Sequence, residues 1–184
     1  MLNPSQCILY SGGAAGTEQF FGSLAESWGI EEVNYSFDGH QIERRRGVRI
    51  LTSEELQGKD VSLSYVSKLL NREYTKAPLF RKVLQSICWQ VTSGDQIIVV
   101  GAIQSDKTVK GGTGWGAEFA KICNKPLLVF DQPNDQWFTW QEDDWVKVTD
   151  PVISARHFTA TGTRFLEHNG RVAIQDIFGR SFSR

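Results

Sequence analysis

The sequence predicts an α/β fold built on a mainly parallel sheet flanked by helices, and three observations carry that expectation. The apolar run Ile97–Ile98–Val99–Val100 leads through a glycine-dense turn into a helical pattern and then a second apolar run, Leu127–Leu128–Val129–Phe130. An earlier run, Cys7–Ile8–Leu9–Tyr10, enters Ser11–Gly12–Gly13–Ala14–Ala15–Gly16 and a helical pattern in the same way. Strand, turn, helix and strand in that order make a βαβ unit with parallel strands. Finally, 184 residues suit a single domain, long enough to bury most of the surface its unfolded form would expose.

Taken in order, the first strand covers Cys7 to Tyr10, and Phe20, Phe21, Leu24, Ala25 and Trp28 then recur at helical spacing before Gly29. From Glu31 to Phe37 the alternation of Val33, Tyr35 and Phe37 with Asn34 and Ser36 predicts the next strand. Asp38 to Gln57 reads as a long loop with short structured pieces, carrying His40, Arg44, Arg45, Arg46 and Arg49. A helix is expected from Val61 to Leu70, and a stronger one after Pro78. Its Phe80, Val83, Leu84, Ile87, Cys88 and Val91 form one core face.

Gln104 to Lys110 is a polar excursion, read as a hairpin tip or flap before the second glycine turn. Trp137, Trp140 and Trp145, half of the six tryptophans, suit an antiparallel meander in which they pack against one another and the sheet edge. A strand from Arg156 to Ala160 runs into Thr161–Gly162–Thr163–Arg164, and a closing helix carries Val172, Ile174, Ile177 and Phe178.

The totals exclude several classes. Lysine and arginine number 20 against 21 acidic residues, so the net charge of −1 provides no global field to recruit nucleic acid or an anionic membrane. No segment approaches the about 18 apolar residues needed to span a bilayer, and the N-terminus lacks a signal peptide's pattern. The expectation is a soluble, cytoplasmic protein. Cys7, Cys88 and Cys123 lie in apolar patterns without metal-ligand spacing and are read as reduced core thiols. His40, His157 and His168 also lack that spacing, so neither a metal nor a cofactor is expected.

Chemistry concentrates in the two glycine turns. A helix N-terminus approached through glycines leaves backbone N–H groups free to face an anion. In an open parallel sheet, ligands bind beyond the carboxyl ends of the strands, so two such turns would border one crevice. Neither turn has the Gly-Lys-Ser/Thr ending of a phosphate-binding motor loop or the glycine order of an ordinary dehydrogenase. The arginines at 44, 45, 46 and 49 are read either as a phosphate clamp or as a solvated loop. Arg164, at a third strand-to-helix junction, is a candidate phosphate or carboxylate partner.

The turn at 111–118 has the order G-G-x-G-x-x-x-E through Gly111, Gly112, Thr113, Gly114, Trp115 and Glu118. It resembles the G-G-x-G-T-x-x-E motif of the LOG phosphoribohydrolases within the SLOG superfamily, with Trp115 in place of the family threonine. Ser11, Gly12, Gly13, Ala14 and Gly16 are similar to the S-G-G-A-x-G loop of that superfamily's YpsA-like and DprA-like branches.

The resemblance implies a single Rossmann-like domain that binds a phosphorylated nucleotide or nucleotide-derived molecule. Phosphate would lie on the turn at 111–114 and Glu118 near the ribose. It also implies a possible N-glycosidase in which Glu118 acts with an upstream arginine, for which Arg81 of Arg81–Lys82 is the candidate. A carboxylate there would stabilise an oxocarbenium-like sugar or activate water. Trp115 would stack on a base or close the pocket. DprA-like binding of single-stranded nucleic acid and a molybdenum-cofactor carrier role are the remaining alternatives, and a homo-oligomer is expected from relatives of this kind.

Overall fold

The run at 96–101 is buried along its whole length, because it forms a strand near the middle of a sheet covered on both faces. The computed structural model describes residues 1–183. In chain order its elements are β1 (Ile8–Ser11), α1 (Thr17–Trp28), β2 (Glu31–Ser36), β3 (Val48–Ile50), α2 (Ser53–Gln57), α3 (Asp60–Leu70) and α4 (Pro78–Ser93). There follow β4 (Gln96–Gly101), α5 (Thr113–Ile122), β5 (Leu127–Asp131), β6 (Gln136–Gln141), β7 (Asp144–Lys147), β8 (His157–Gly162) and α6 (His168–Ser181).

The eight strands form one sheet in the order β3-β2-β1-β8-β4-β5-β6-β7. The six from β3 to β5 are parallel, and β6 and β7 extend the β5 edge as an antiparallel meander. The architecture is α/β and Rossmann-like. Chain direction across the sheet reverses between the β1 and β4 units, and β8, the last strand in sequence, fills the place between them. The two glycine turns therefore follow β1 and β4, with the end of β8 between them.

Strand pleating sorts the core into two layers. Ile98 and Val100 face Phe21, Ala25, Ile174, Ile177 and Phe178 of α1 and α6. Ile97 and Val99 face Leu63, Val66, Leu84, Ile87, Val91, Trp115 and Phe119 of α3, α4 and α5. Each buried side chain of this size contributes about 1.5–3 kcal/mol to stability. Pro78 occupies the first turn of α4, where a missing N–H costs nothing.

The meander tryptophans pack as expected: Trp140 and Trp145 meet edge to face at 4.9 Å, and Trp137 packs on Phe130 at 5.2 Å. The 104–110 excursion is a hairpin, closed by a bridge between Ile103 and Val109. Cys7 and Cys88 are buried, but Cys123 is exposed, because it caps the end of α5 and does not continue its inner face. No described helix is long and apolar enough to cross a membrane.

Candidate functional site

At the carboxyl end of the parallel strands a cavity of about 590 Å³ opens between the ends of β1, β8 and β4. Its walls are Ala14, Ala15 and Glu18 after β1, Gly111, Gly112 and Thr113 at the start of α5, and Thr161 to Phe165 from the end of β8 onward. One face of α4 closes it through Phe80, Val83, Ser86, Ile87 and Gln90. A crevice where strand order reverses is the ordinary ligand position of an open α/β sheet, and this volume suits a nucleotide-sized molecule.

The first glycine loop is mostly a structural junction. Ser11 is buried and its hydroxyl donates to the Ala160 carbonyl at 2.8 Å, tying β1 to β8. Gly12 packs under the Gln90 amide and the Glu18 carboxylate. The Gly13 carbonyl accepts from the N–H groups of Glu43 and Arg44, which anchors the arginine-rich loop. Gly16 has φ 85° and lies against the Arg164 backbone, so any side chain would collide there. None of these four lines the cavity.

Glu18 does line the cavity, and it is buried. Its carboxylate turns back on its own loop, accepting from the Ala14 N–H at 2.9 Å and the Thr161 hydroxyl at 2.7 Å. Burial pushes its pKa up, opposed by those two hydrogen bonds and by the Gly12 N–H. The N–H and hydroxyl of Thr17 meanwhile donate to the Thr163 carbonyl at 3.1 and 2.8 Å. The start of α1 thus already holds internal acceptors, the Glu18 carboxyl and the Thr163 carbonyl, while the N–H groups of Ala15 and Gly16 donate to none among the described residues.

The second turn is different. The N–H groups of Gly111 and Gly112 donate to no acceptor among the described residues, and α5 has no side-chain cap. Lys110 and Arg164 are exposed at the cavity wall and form no ion pair among the described residues. Free donors at a helix start and two uncommitted cations give this end a local field that favours an anion.

Arg72, which sequence reading did not single out, braces that turn from behind. Its guanidinium donates to the carbonyls of Gly111 and Val109 at 3.0 and 3.1 Å, and to the Gln104 amide oxygen and Thr108 hydroxyl at 2.8 and 3.0 Å. One planar fork therefore joins the hairpin to the glycine turn.

Of the residues expected at the site, Gly111, Gly112, Thr113 and Arg164 line the cavity, and Gly114, Trp115, Glu118 and Arg81 do not. Gly114 abuts the Val109 carbonyl. Trp115 is 4% exposed and packs against Tyr74 in the core, so it neither closes the cavity nor offers a face to a base. Glu118 is ion-paired with Lys121 at 3.1 Å, one turn along α5.

Arg81 lies over the Tyr74 ring at 4.0 Å and pairs with Asp60 at 3.0 Å. Burial opposes ionisation of Asp60, but bonds from Tyr74, Gln85 and Arg81 outweigh it and hold its carboxyl below the usual range. The two proposed catalytic groups are thus engaged with other partners.

The arginine loop forms neither a clamp nor a wholly solvated segment. Arg44 and Arg46 pair with the buried Glu32 of β2 at 2.6 and 2.9 Å, Arg44 reaches Glu26, and Arg49 pairs with Glu55. His40 is the loop's contribution to the cavity. Its Nδ1 lies 3.0 Å from the Ser36 hydroxyl, and burial lowers its pKa. Among the described residues no group of three or more His, Cys, Asp or Glu could hold a metal ion.

No protein-family model, curated protein or solved structure matches the chain.

Proposed function

We propose that the chain binds a phosphorylated nucleotide or nucleotide-derived small molecule, with its phosphate on the Gly111–Gly112 turn. The observation that carries this reading is the contrast between the two helix starts. The first turn holds its own acid, with Glu18 accepting from the Ala14 N–H and Thr163 from that of Thr17, whereas the N–H groups of Gly111 and Gly112 have no acceptor among the described residues and those glycines line a cavity walled by Lys110 and Arg164. The remaining length of the cavity, with Phe80, Val83 and Ile87 on one side, offers an apolar wall to the rest of the ligand. The glycine order of the two loops, similar to SLOG proteins, supports the same assignment.

Calorimetric titration with nucleoside 5′-mono- and diphosphates tests it. Saturable binding that weakens at least 10-fold when both Lys110 and Arg164 become alanine is the expected result. Absence of binding across the panel refutes the reading. Native mass spectrometry of the purified protein supplies an independent check, because a retained ligand shows its own mass.

A further inference from the structure

The apolar wall of the cavity leads along α4 from the phosphate turn to a polar group that the phosphate reading leaves unused. Phe80 lies against Gly112, and Val83, one helical turn further on, packs against the cluster that contains Phe37. His40 stacks on Phe37, with ring centroids 4.3 Å apart and planes 10° from parallel, and it lines the same cavity. It follows β2, and three strand spacings, roughly 14 Å, separate β2 from β4 in the sheet. His40 thus belongs to the end of the cavity remote from Gly111 and Gly112.

Two contacts fix the imidazole. One face is spent on Phe37, and Nδ1 lies 3.0 Å from the Ser36 hydroxyl. Ser36 is 2% exposed, and its hydroxyl has no other hydrogen-bond partner among the described residues. Were Nδ1 to donate, the buried hydroxyl hydrogen would be left without an acceptor. The hydroxyl therefore donates to Nδ1, which places the ring proton on Nε2. Burial lowers the pKa of His40, which keeps the ring neutral at pH 7. Nε2 has no partner among the described residues, yet it is not one of their buried unpaired atoms, so its N–H remains accessible.

We infer that the Nε2–H of His40 donates a hydrogen bond to a ring nitrogen or carbonyl oxygen of the ligand's base, at the end remote from its phosphate. The inference rests on the phosphate reading above and adds a specificity-determining residue to it. Ser36 and Phe37 hold the donor in place before the ligand arrives, so little side-chain freedom is lost on binding. A neutral donor beside Val83 and Phe37 suits an uncharged acceptor; a second phosphate would bring charge to a place where His40 supplies none. The Ser86 hydroxyl, on the same wall, donates to the Val83 carbonyl and offers the base no second donor.

Adenosine 5′-monophosphate, ribose 5-phosphate and inorganic phosphate are titrated by calorimetry into the wild-type protein and into His40→Phe, which keeps a ring for Phe37 and removes both nitrogens. The expected result is that the substitution weakens adenosine 5′-monophosphate about 10-fold and ribose 5-phosphate less than 2-fold. Equal weakening of the two, or none for adenosine 5′-monophosphate, overturns the inference. So does binding of ribose 5-phosphate by a wild type that does not bind adenosine 5′-monophosphate.

Nitrogen-15 NMR of the wild type decides the matter even if His40→Phe does not fold, because the chain has three histidines to assign. Without ligand, His40 is expected to show the Nε2–H tautomer at pH 7. Its Nε2 signal is then expected to move on saturation with adenosine 5′-monophosphate and to stay in place with ribose 5-phosphate. A proton on Nδ1, or an Nε2 signal that adenosine 5′-monophosphate leaves unmoved or that both probes move equally, overturns this inference alone. If neither probe nor inorganic phosphate binds the wild type, the phosphate reading falls and this inference falls with it.

Discussion

Gly112→Asp is the substitution that separates an anion site from a merely tight turn. The backbone at Gly112 is helical, with φ −61° and ψ −34°, and a Cβ there would meet only Phe80, at 3.5 Å, an ordinary contact. An aspartate at this position is sterically tolerated, and a carboxylate at a helix start is favourable. The melting temperature is therefore expected to hold or rise.

Binding should respond in the opposite sense. A carboxylate held about 5 Å from a phosphate repels each of its charges by about 1.7–3.3 kcal/mol at effective dielectric constants of about 40 to 20, a loss of roughly 20- to 300-fold in affinity for each charge. Gly112→Ala adds the same Cβ without charge and is expected to stay within about 3-fold of wild type. Calorimetry with adenosine 5′-monophosphate at low salt, paired with thermal melts of all three proteins, reads both quantities. Equal affinities for the aspartate and alanine variants would refute the placement of phosphate at this turn. Gly111, at φ 73°, and Gly114, against the Val109 carbonyl, offer no such test, since any side chain there disturbs the turn itself.

Three further outcomes follow from the geometry. Burial raises the Glu18 pKa, so the folded state keeps this proton to higher pH than the unfolded chain; the stability so gained is full below the ordinary glutamate range and is lost as pH rises. The melting temperature of Glu18→Gln relative to wild type should therefore climb between about pH 4 and pH 7, and a pH-independent difference would contradict this account. Removing the four-acceptor brace in Arg72→Ala should lower stability by about 2 kcal/mol, about 4–8 °C, and weaken phosphate binding; Arg72→Lys should not restore it, because an ammonium lacks the planar fork. Trp115→Ala should lower stability by about 3–5 kcal/mol yet leave affinity within about 3-fold at temperatures where the variant is folded, as calorimetry below its melting point will show.

Much of the scaffold was legible because it rests on local pattern. The run at 97–100, the apolar period of α4 and the two glycine turns each specify an element within a dozen residues. The place of β8 was not legible, since its threonines, Thr159 and Thr161, read as an ordinary half-polar strand. Only pairing with both β1 and β4 makes it central.

The same limit applies to the site. Gln90 sits among Ile87, Cys88 and Val91, a pattern that marks a core face and hides a polar member of the cavity wall. Arg44 and Arg46 could not be assigned because their partner, Glu32, belongs to a buried strand position. For Glu18 there was a signal: a carboxylate one turn into a helix that begins with glycines can fold back onto the loop's own N–H groups.

That signal explains why two similar turns are held differently. A glycine-rich helix start creates unpaired donors, and the fold must either satisfy them or leave them for a guest. At α1 the chain supplies an internal carboxyl group and a carbonyl, which fix the loop, join β1 to β8 and place an acid beside any external anion. At α5 the acidic residue of the motif, Glu118, points away to Lys121, while the brace on the loop comes from Arg72, which fills carbonyls and leaves the N–H groups untouched. A positive brace on the acceptor side of a turn adds to the field that attracts an anion on its donor side. The second turn is thus held in shape by contacts that leave the N–H groups of Gly111 and Gly112 without an internal acceptor, which is why the proposed phosphate is placed there.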